Sequence, residues 1–392
     1  MGQSRICARI DLDAVEANFR NMRSKIKEET RMIAVIKTNA YGHGAVRIAQ
    51  LTEGYDYLWG FAVATVEEAM QLRQAGIRKP ILILSLVFPE DYETIVHHDI
   101  RPAVFKYSMA AELNETARKA GKKVPVHLAV DTGMTRIGFP VTRDGAEEAA
   151  RCAALDCLTI EGTFTHFAKA DEEDKTFSGY QFDRFCKFEH MIRQMGVDPG
   201  MRHVCNSAGT MELTHYQLDA VRAGITIYGI YPSQEVDRDA LKLERVMTLI
   251  SHIAYIQEVP AGCSISYGGT FVTRRPSRIA TIPAGYGDGY PRLLSNRGRV
   301  LIRGRSAPIV GRVCMDQFMV DVTDIDAQEF DQVILLGRDR NEEITPEEVG
   351  EISGRFPYEL TCDINARVPR VYTGGCESPD TGQGQIETQV SR

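Results

Sequence analysis

The stretch MIAVIKTNAYGHG, Met32–Gly44, contains the pattern from which the fold is inferred. Its first part, Met32–Ile36, is an apolar run of the length of a buried strand, and Lys37 follows directly. We expect the glycines at 42 and 44 to allow close approach of the backbone to a ligand. The stretch therefore predicts a buried strand whose carboxyl end carries a reactive amine.

Outward from this stretch, short apolar runs alternate with amphipathic stretches of helical spacing. The apolar runs are Met32–Ile36, Leu58–Val63, Ile81–Leu84, Ile100–Val104, Val126–Val130, Leu158–Phe164, the neighbourhood of Val204, and Ala220–Arg222. The helical stretches include Asp13–Lys27, Thr65–Ala75, Met109–Ala120, Gly145–Ala154 and Asp174–Met195. About eight such units predict an α/β protein with an N-terminal (β/α)8 TIM-like barrel over residues 12–245. The competing topology is a doubly wound open sheet, which the lack of a G-x-G-x-x-G motif after the first strand disfavours.

The pattern changes near Leu243, and residues 246–375 are predicted to form a C-terminal, mostly antiparallel β domain. Residues 1–11 include a strand-like segment that we expect to associate with this domain. The polar tail, residues 376–392, is predicted to be disordered. The apolar runs of the β domain are Ile253–Val259, Ile265–Val272, Ile279–Pro283, Val300–Arg303, Ala307–Cys314, Phe318–Val322 and Val333–Leu336.

Composition excludes several classes of function. The 392 residues carry a net charge of −7, with a pI of about 5.8, and this balance provides no basic surface for nucleic acid or an anionic membrane. No apolar run reaches the ~20 residues that cross a bilayer, and the N-terminus shows no secretory leader. The nine cysteines are scattered without a C-x-x-C pair, which predicts no metal site and a reducing, cytoplasmic location.

Reactive or phosphate-binding groups follow five of the predicted strands, at the end where such a barrel carries its active site. They begin at Lys37, Asp131, Thr165, Asn206 and Gly224. A lysine in a desolvated barrel mouth is a nucleophilic amine, because burial lowers its pKa. The segments at Asn206 and Gly224 fall where these barrels place a phosphate. A Schiff-base lysine and a phosphate site together suggest pyridoxal 5'-phosphate, although each segment alone would be read as a surface lysine or a turn.

The segment VIKTNAYGHG around Lys37 resembles the cofactor-attachment segment of alanine racemases. Further blocks resemble that family in the family's order, and they run to about Tyr372: Asp131–Phe139, Gly162–Glu172, Asn206–Thr210, Val221–Gly229, Ser266–Phe271, Gly285–Arg292, Gly311–Thr323 and Pro357–Tyr372. The resemblance implies a fold-type III barrel followed by a β domain. It also implies pyridoxal 5'-phosphate and a homodimer with shared active sites.

The resemblance implies a racemase that interconverts L- and D-alanine with two bases and supplies D-alanine for peptidoglycan. Lys37 would hold the cofactor in a Schiff base and act as one base, and Tyr267 of the partner subunit would be the other. A phenol acts as a base near neutral pH only beside positive charge, which the implied relay of Arg222 and His166 would provide. Taken singly, Tyr267 would be read as a strand tyrosine with its ring in the core, and His166 as a core histidine.

Arg222 is the residue that favours racemisation over decarboxylation. In this family an arginine faces the pyridine nitrogen of the cofactor, and because a guanidinium only donates, it keeps that nitrogen unprotonated. The resulting electron sink is weaker, which limits side reactions. Decarboxylases that share the barrel carry an acidic residue at this place.

The resemblance also assigns the binding residues. The cofactor would be bound by Lys37, Tyr41, His166, Asn206, Ser207, Arg222, Gly224, Ile225 and Tyr358. The substrate would be bound by Arg136, Met315, Asp316 and Tyr267. A guanidinium suits a carboxylate because it binds bidentately, and a bulky ring at Tyr358 is typical of members that prefer alanine to serine.

One position departs from the family pattern. Many members carry a carbamylated lysine two residues before Asp131, and this chain has Ala129 there. Loss of that carbamate leaves Arg136 without its negative partner, which is costly if the guanidinium is buried. We expect chloride, another small anion or a nearby carboxylate to fill the gap.

Three alternatives stay open on the sequence. A serine or broad-specificity racemase shares every catalytic residue and differs only in pocket volume. A fold-type III decarboxylase is disfavoured by Arg222 and by the Ser266–Phe271 block. A non-catalytic cofactor carrier on this fold consists of the barrel alone, whereas this chain has a full β domain.

Overall fold

The computed structural model describes residues 4–375, so the tail predicted to be disordered, residues 376–392, lies outside the described residues. The chain divides into two compact units. The barrel unit consists of Glu16–Ala40 and Ala45–Glu244. The β unit comprises the described residues among 1–15, 41–44 and 245–392.

The barrel unit contains eight parallel strands in a closed ring, and the predicted TIM-like barrel is confirmed. The ring runs β5-β4-β3-β2-β10-β9-β8-β6, and β6 pairs with β5 to close it, so the open-sheet alternative is wrong. After β1 (Ile6–Asp11), which belongs to the β unit, the strands are β2 (Arg31–Val35), β3 (Leu58–Val63), β4 (Ile81–Ile83), β5 (Arg101–Val104), β6 (Val124–Asp131), β7 (Phe139–Pro140), β8 (Leu158–Phe164), β9 (Met201–His203) and β10 (Ala220–Ala223). Of these, β7 pairs only with the end of β6, outside the ring.

Helices follow the barrel strands, and side-chain caps define where several of them begin. The hydroxyls of Thr65 and Thr142 and the side chain of Asn206 each accept a backbone N–H from the first turn of the helix that follows. The helices from the N-terminus through the barrel are Leu12–Arg23, Ala45–Thr52, Val66–Gln74, Tyr92–His97, Tyr107–Lys119, Arg143–Ala153, Thr176–Gln194 and Ser207–Glu212. Within residues 4–375, no helix combines the length and apolar composition that crossing a bilayer requires.

The β unit is built on a ten-stranded sheet, mostly antiparallel as predicted. Its order is β12-β15-β18-β17-β16-β19-β11-β1-β21, and β20 pairs with β19. The strands are β11 (Met247–His252), β12 (Tyr255–Val259), β13 (Ser264–Ile265), β14 (Phe271–Val272), β15 (Ser277–Ile282), β16 (Arg299–Ile302), β17 (Arg305–Val310), β18 (Phe318–Asp321), β19 (Gln332–Asp339), β20 (Glu342–Ile344) and β21 (Arg370–Thr373). Two helices, Pro346–Ser353 and Pro357–Asp363, complete the unit.

The strand β1 lies between two strands that are distant in sequence. It pairs antiparallel with β11 and parallel with β21, so that Ala8 is opposite both Leu249 and Arg370. The parallel pair is the exception in an otherwise antiparallel sheet. The strand-like segment that the sequence predicted within residues 1–11 is therefore part of the sheet of the β unit, over Ile6–Asp11.

One predicted strand of the β domain is wrong. The run Ile265–Val272 is not continuous, because β13 and β14 form a separate two-stranded pair around a turn. The turn Tyr267–Gly269 is a 3₁₀ helix in which Gly268 has a φ of 72°, and Ser266 before it has a φ of 65°. Positive φ angles end an extended strand, so apolar content alone misled the prediction.

Candidate active site

Lys37 follows β2 and begins a left-handed helical turn. Thr38, Asn39 and Ala40 have φ/ψ angles of 53°/49°, 51°/49° and 54°/51°, and Tyr41 has a φ of 52°. Non-glycine residues avoid this conformation because Cβ approaches the next carbonyl oxygen, at roughly 1–2 kcal/mol per residue. Strain of this kind collects at functional sites, where the surrounding structure holds it in place.

Hydrogen bonds within the barrel unit hold the strained turn. The carboxylate of Glu68 accepts the backbone N–H of Thr38 and, at 2.8 Å, that of Ala64. The side-chain oxygen of Asn39 accepts the N–H of Ala45 at 2.9 Å. The half-buried lysine therefore leaves the barrel strand on a backbone fixed from both sides.

The two glycines after the turn allow close packing within the β unit, and their predicted use in the approach of a ligand stays a prediction. Gly42 has a φ of +86° and Gly44 a φ of +99°, conformations that side chains disfavour. A Cβ on Gly42 would lie 2.0 Å from the carbonyl oxygen of Thr361, and one on Gly44 would lie 1.8 Å from the hydroxyl of Tyr372. Within the β unit, these glycines are needed for close contact with protein.

Arg222 is buried in the barrel, with 2% of its surface exposed, and its guanidinium is held by backbone carbonyls. Nη1 donates to the carbonyl of His203 at 2.7 Å. Nη2 donates to the carbonyls of Thr165 at 2.7 Å and Val204 at 3.0 Å. Burial lowers the pKa of Arg222 to about 10, so the group stays charged at neutral pH. Among residues 4–375, no hydrogen bond engages its Nε–H, which is therefore available to an acceptor from outside the chain.

His166 lies beside Arg222, and the tautomer of its ring follows from that contact. Nη2 of Arg222 lies 3.3 Å from Nδ1 of His166, and because a guanidinium only donates, Nδ1 is the unprotonated nitrogen. Burial lowers the pKa of His166 well below its usual value, and the charges of Arg222, Arg136 and Lys37 lower it further. The imidazole is therefore neutral, and its second nitrogen, Nε2, carries the proton.

Arg136 follows β6 on an exposed loop. The carboxylate of Asp131 shapes this loop by accepting the N–H groups of Gly133 and Thr135, each at 3.0 Å. Arg136 is exposed and has no ion pair or hydrogen bond among the described residues. Ala129, at the position of the carbamylated lysine, is 2% exposed and packs against apolar neighbours. The expected cost of a buried, unpaired Arg136 therefore does not arise in this chain, and no described carboxylate fills the gap.

Ser207, Gly224 and Ile225 come together at the carboxyl ends of β9 and β10, as expected for a phosphate site. The Ser207 hydroxyl oxygen accepts the N–H of Gly224 at 2.8 Å and the hydroxyl of Thr226 at 3.1 Å. Because both bonds use its lone pairs, its O–H can donate to a ligand. Thr226 was missed, since a lone threonine after a strand carries no signal in sequence.

Asn206 has a structural role that the sequence did not reveal. Its Oδ1 accepts the N–H of Gly209 at 3.0 Å and caps the helix Ser207–Glu212. The side-chain oxygen is thereby occupied within the protein. The structure places Asn206 next to Ser207, and its predicted contact with the cofactor stays a prediction.

Tyr41 and Tyr358 lie together in the β unit. Their rings meet edge to face with centroids 6.1 Å apart. Burial raises the pKa of Tyr41, and the neighbouring Cys362 raises it further, so the phenol stays protonated at neutral pH. The predicted contact of Tyr41 and Tyr358 with a phosphate stays a prediction.

The remaining predicted site residues lie on two adjacent, exposed loops of the β unit. The Ser266 hydroxyl donates to the carbonyl of Arg312 at 2.7 Å and thereby joins the Tyr267 turn to the loop that carries Met315. Tyr267 is 71% exposed and Met315 is 53% exposed. The prediction that Tyr267 taken singly would bury its ring in a core is wrong, because the 3₁₀ turn points it away from the sheet.

Asp316 is held by an arginine that sequence reasoning missed. Nη2 of Arg367 donates to the Asp316 carboxylate at 2.7 Å, and its Nε donates at 2.7 Å to Asp288. Asp288 is buried, and its pairing with Arg5 and Arg367 keeps the pKa of its carboxyl low although burial acts to raise it. The exposed loop is therefore anchored to the sheet by a charged cluster.

The barrel residues fit pyridoxal phosphate. The site offers an amine at Lys37, a buried guanidinium whose Nε–H suits a pyridine nitrogen, and a hydroxyl with a donor to spare at Ser207. These are an amine for the aldehyde, a donor for the ring nitrogen and a donor for the phosphate. The fit comes from the donor set of the chain itself.

Comparison with known proteins assigns both parts of the chain to one family. The family profile for the N-terminal domain of alanine racemase matches residues 10–232, and the profile for the C-terminal domain matches residues 246–372. The alanine racemase of Desulforamulus reducens is 42% identical over 372 residues, which cover 94% of this chain and 99% of the relative.

Solved structures match over similar lengths. Alanine racemase of Clostridium difficile 630 in complex with cycloserine has a TM-score of 0.90 at 38% identity, covering 95% of this chain and 96% of that chain. Alanine racemase of Bartonella henselae with covalently bound pyridoxal phosphate has a TM-score of 0.83 at 29% identity, covering 94% of this chain and 100% of that chain.

Proposed function

The chain belongs to the alanine racemase family, and from this premise we propose that it interconverts L- and D-alanine with pyridoxal 5'-phosphate as cofactor. The observation that carries the proposal is the donor set of the barrel unit: the half-buried amine of Lys37 after β2, the buried guanidinium of Arg222 beside His166, and the Ser207 hydroxyl at the carboxyl end of β9. Pyridoxal phosphate can use all three groups, through its aldehyde, its ring nitrogen and its phosphate. The Bartonella henselae relative carries this cofactor covalently bound.

In this proposal the barrel holds the cofactor. Lys37 would hold its aldehyde, the Nε–H of Arg222 would donate to its ring nitrogen, and Ser207 with the backbone of Gly224 and Ile225 would hold its phosphate. Tyr41 and Tyr358 are assigned to the phosphate by family resemblance, and Asn206 contributes as the cap of its helix. When bound, pyridoxal phosphate withdraws electrons from the substrate Cα and so makes its proton acidic.

Two bases then exchange the Cα proton from opposite faces. The amine of Lys37 serves one face, and the phenol of Tyr267 from a second copy of the chain serves the other. The Nε2–H of His166 is directed away from Arg222 and is the donor that would stabilise the phenolate. The 71% exposure of Tyr267 supports its use by a partner, since a buried ring could not reach another copy.

Arg222 restricts the reaction in this scheme. Its guanidinium stays charged and only donates, so it does not supply a proton that would stay on the ring nitrogen. The weaker electron sink favours return of the Cα proton over competing chemistry. Racemisation is therefore the reaction that this donor supports.

Arg136 is assigned to the substrate carboxylate, with Met315 and Asp316 of a second copy at the rim of the pocket. Its exposed guanidinium has no protein partner among the described residues, which also supports binding of chloride or another small anion beside Ala129. The product would supply D-alanine for peptidoglycan in the cytoplasm. Tyr358, by family resemblance, would favour alanine over serine.

The test is incubation of the purified holoenzyme with L-alanine in deuterium oxide. We expect D-alanine to form with deuterium at Cα and without release of CO₂. CO₂ release without inversion would show a decarboxylase. Faster turnover of serine than of alanine would show a racemase of different specificity, and no reaction with either amino acid would refute the proposal.

A further inference from the structure

Behind Arg222, a continuous line of polar side chains crosses the interior of the barrel. Nη1 of Arg222 lies 2.9 Å from Nδ1 of His203, and Nε2 of His203 lies 2.8 Å from Nδ1 of His127. Nε2 of His127 lies 3.4 Å from the carboxylate of Glu161. Arg222, His203 and His127 are at most 2% exposed. None of the last three residues of this line has a role in the proposed reaction.

The direction of the hydrogen bonds in this line is set by its two ends together, the guanidinium of Arg222 and the carboxylate of Glu161. Because a guanidinium only donates, Nδ1 of His203 is an acceptor and Nε2 carries the proton. That proton is donated to Nδ1 of His127, which leaves the proton of His127 on Nε2, facing Glu161. A carboxylate only accepts, so the two ends of the line demand the same direction.

Both imidazoles are neutral, as this direction requires. Burial lowers the pKa of His203 well below its usual value, and the charge of Arg222 lowers it further. Burial also lowers the pKa of His127. The charges of Arg101 and Arg222 lower it further, and Glu161 acts to raise it. These are the charged groups that act on the line, and they leave each ring with one proton.

The backbone is arranged to bring Glu161 to His127. The register between β6 and β8 shifts by one residue here, since Val126 is opposite Ile160 while His127 is opposite Gly162. Glu161 is the extra residue of this irregularity, a device that re-aims a side chain. The missing side chain of Gly162 also makes room, because a Cβ there would lie 2.7 Å from the His127 ring.

The carboxylate of Glu161 ends the line at a single atom. Its Oε2 faces Nε2 of His127 and also accepts, at 3.2 Å, from Nε of Arg101, the first residue of β5. His203, in contrast, is the last residue of β9. Parallel barrel strands share their ends, so the line runs from the carboxyl end of the barrel to the amino end.

We propose that His203, His127 and Glu161 are positioning residues for Arg222, and that Glu161 fixes the tautomers of both histidines so that Nδ1 of His203 always accepts from the guanidinium. This inference rests on the proposed role of Arg222 toward the ring nitrogen of the cofactor. Without an acceptor at 161, the His127 proton is free to move to Nδ1, where it faces the N–H of His203. If the His203 proton then moves to Nδ1, two donors, this N–H and Nη1 of Arg222, face each other. The guanidinium of Arg222 would shift to avoid this contact, and its Nε–H would no longer be held in place.

The test compares Glu161→Leu, which removes the acceptor, with Glu161→Gln, which keeps an oxygen that can accept from both His127 and Arg101. Histidine tautomers are read from ¹⁵N spectra of holoenzyme labelled at histidine, with signals assigned by their loss in His127→Gln and His203→Gln. We expect both wild-type rings to carry the proton on Nε2. In Glu161→Leu we expect a second tautomer, a changed absorption band of the bound cofactor, and a kcat lower by about tenfold with KM within about twofold.

Glu161→Gln is expected to restore the wild-type tautomers, absorption band and kcat. The matched controls are Glu189→Leu and Glu189→Gln, since Glu189 also accepts from two arginines, Arg193 and Arg202, outside the line. These controls should leave kcat and the two histidine signals unchanged. Trp59, the chain's only tryptophan, lies 5.4 Å from the His127 ring, and its unchanged emission maximum would show that each variant keeps its packing.

Three results would overturn the proposal: a wild-type proton on Nδ1 of either ring, an unaltered kcat in Glu161→Leu, or equal losses in the Leu and Gln variants. The first needs no variant to fold. If wild-type holoenzyme failed to racemise alanine, the proposed function would fall, but the tautomer measurement would still decide whether the line has the stated direction.

Discussion

The barrel mouth and the exposed loops of the β unit differ in how their functional side chains are held. Arg222 is 2% exposed and donates to three backbone carbonyls, so its orientation is set before any ligand arrives. Tyr267 is 71% exposed, and its hydroxyl has no hydrogen bond among the described residues. This difference is what the proposed function requires, because the barrel would orient its own guanidinium while an exposed Tyr267 would act in a second copy of the chain.

The backbone shows the same contrast. The turn after Lys37 holds four consecutive non-glycine residues at positive φ, at a cost that the bonds to Glu68 and Asn39 must offset. The Tyr267 turn has a single non-glycine residue of this kind, Ser266 with a φ of 65°, and its other positive φ angles fall on Gly268 and Gly269, for which this conformation costs little. A run of consecutive strained residues therefore occurs at the turn after Lys37 and not at the Tyr267 turn.

Replacement of Lys37 tests the role proposed for the barrel and should have the strongest effect on activity. Lys37→Ala should lower racemisation by at least about 10⁴-fold, because it removes both the covalent attachment and one base. Borohydride reduction followed by mass spectrometry should find no cofactor bound to the variant protein. Lys119→Ala, on an exposed helix end, is the control and should retain both properties. A cofactor adduct at another lysine would contradict the assignment.

Tyr267→Phe tests the role proposed for Tyr267 as the base that acts in a second copy of the chain. It should lower racemisation by about 10²- to 10³-fold, with a larger loss from one enantiomer than from the other, because only one face loses its base. The readout is the rate of deuterium uptake at Cα from each enantiomer separately. Equal losses in both directions would argue against two bases.

The use of Tyr267 from a second copy predicts that specific activity depends on protein concentration. Specific activity of the wild type should fall on dilution in parallel with the dimer fraction seen by light scattering or analytical ultracentrifugation. The reason is that each barrel would borrow Tyr267 from its neighbour. A fully active monomer would show that one chain completes its own site.

A smaller effect is expected at the phosphate cradle. Ser207→Ala removes one donor and should weaken cofactor binding by about tenfold, the effect of one hydrogen bond to a charged group. Fluorescence titration of the cofactor measures the dissociation constant. Ser178→Ala is the matched control, because the buried Ser178 hydroxyl has no partner among the described residues. An effect at Ser178 as large as that at Ser207 would remove the assignment.

The smallest effect concerns pH and stability. The pKa values of His127 and His203 lie below the usual value in the folded protein, so as pH falls below about 6.5 the unfolded chain takes up protons first. Stability is therefore complete above that pH and is lost on acidification, by at most about 1.4 kcal/mol per pH unit and histidine. The free energy of unfolding is measured with urea at about pH 7.5 and about pH 5.5. Between these two pH values it should fall less in His127→Gln than in the exposed control His190→Gln. An equal fall in the two variants would refute this prediction.

The candidate site residues at the strand ends could be predicted from sequence, because each belongs to a short stretch of neighbouring residues. Lys37 comes directly after an apolar run, and the strand-end segments at Asp131 and Asn206 are visible without a structure. The segment around Tyr267 was predicted as one strand, because the positive φ angles that interrupt it have no apolar signature. His127, His203 and Glu161 carry no individual signal, since a polar residue in a strand is common.

The alternation of strands and helices and the family of the chain could be read from the sequence alone, because periodicity and motifs are properties of neighbouring residues. The closure of the ring between β5 and β6, the left-handed turn after Lys37, and the hydrogen bonds from Arg222 through two histidines to Glu161 became visible only in the folded chain. Each of these depends on contacts between residues far apart in the chain. Packing of the barrel buries these polar groups, and a buried donor or acceptor without a partner is costly. The pairing of distant residues is therefore decided by the folded structure and leaves no local pattern in the sequence.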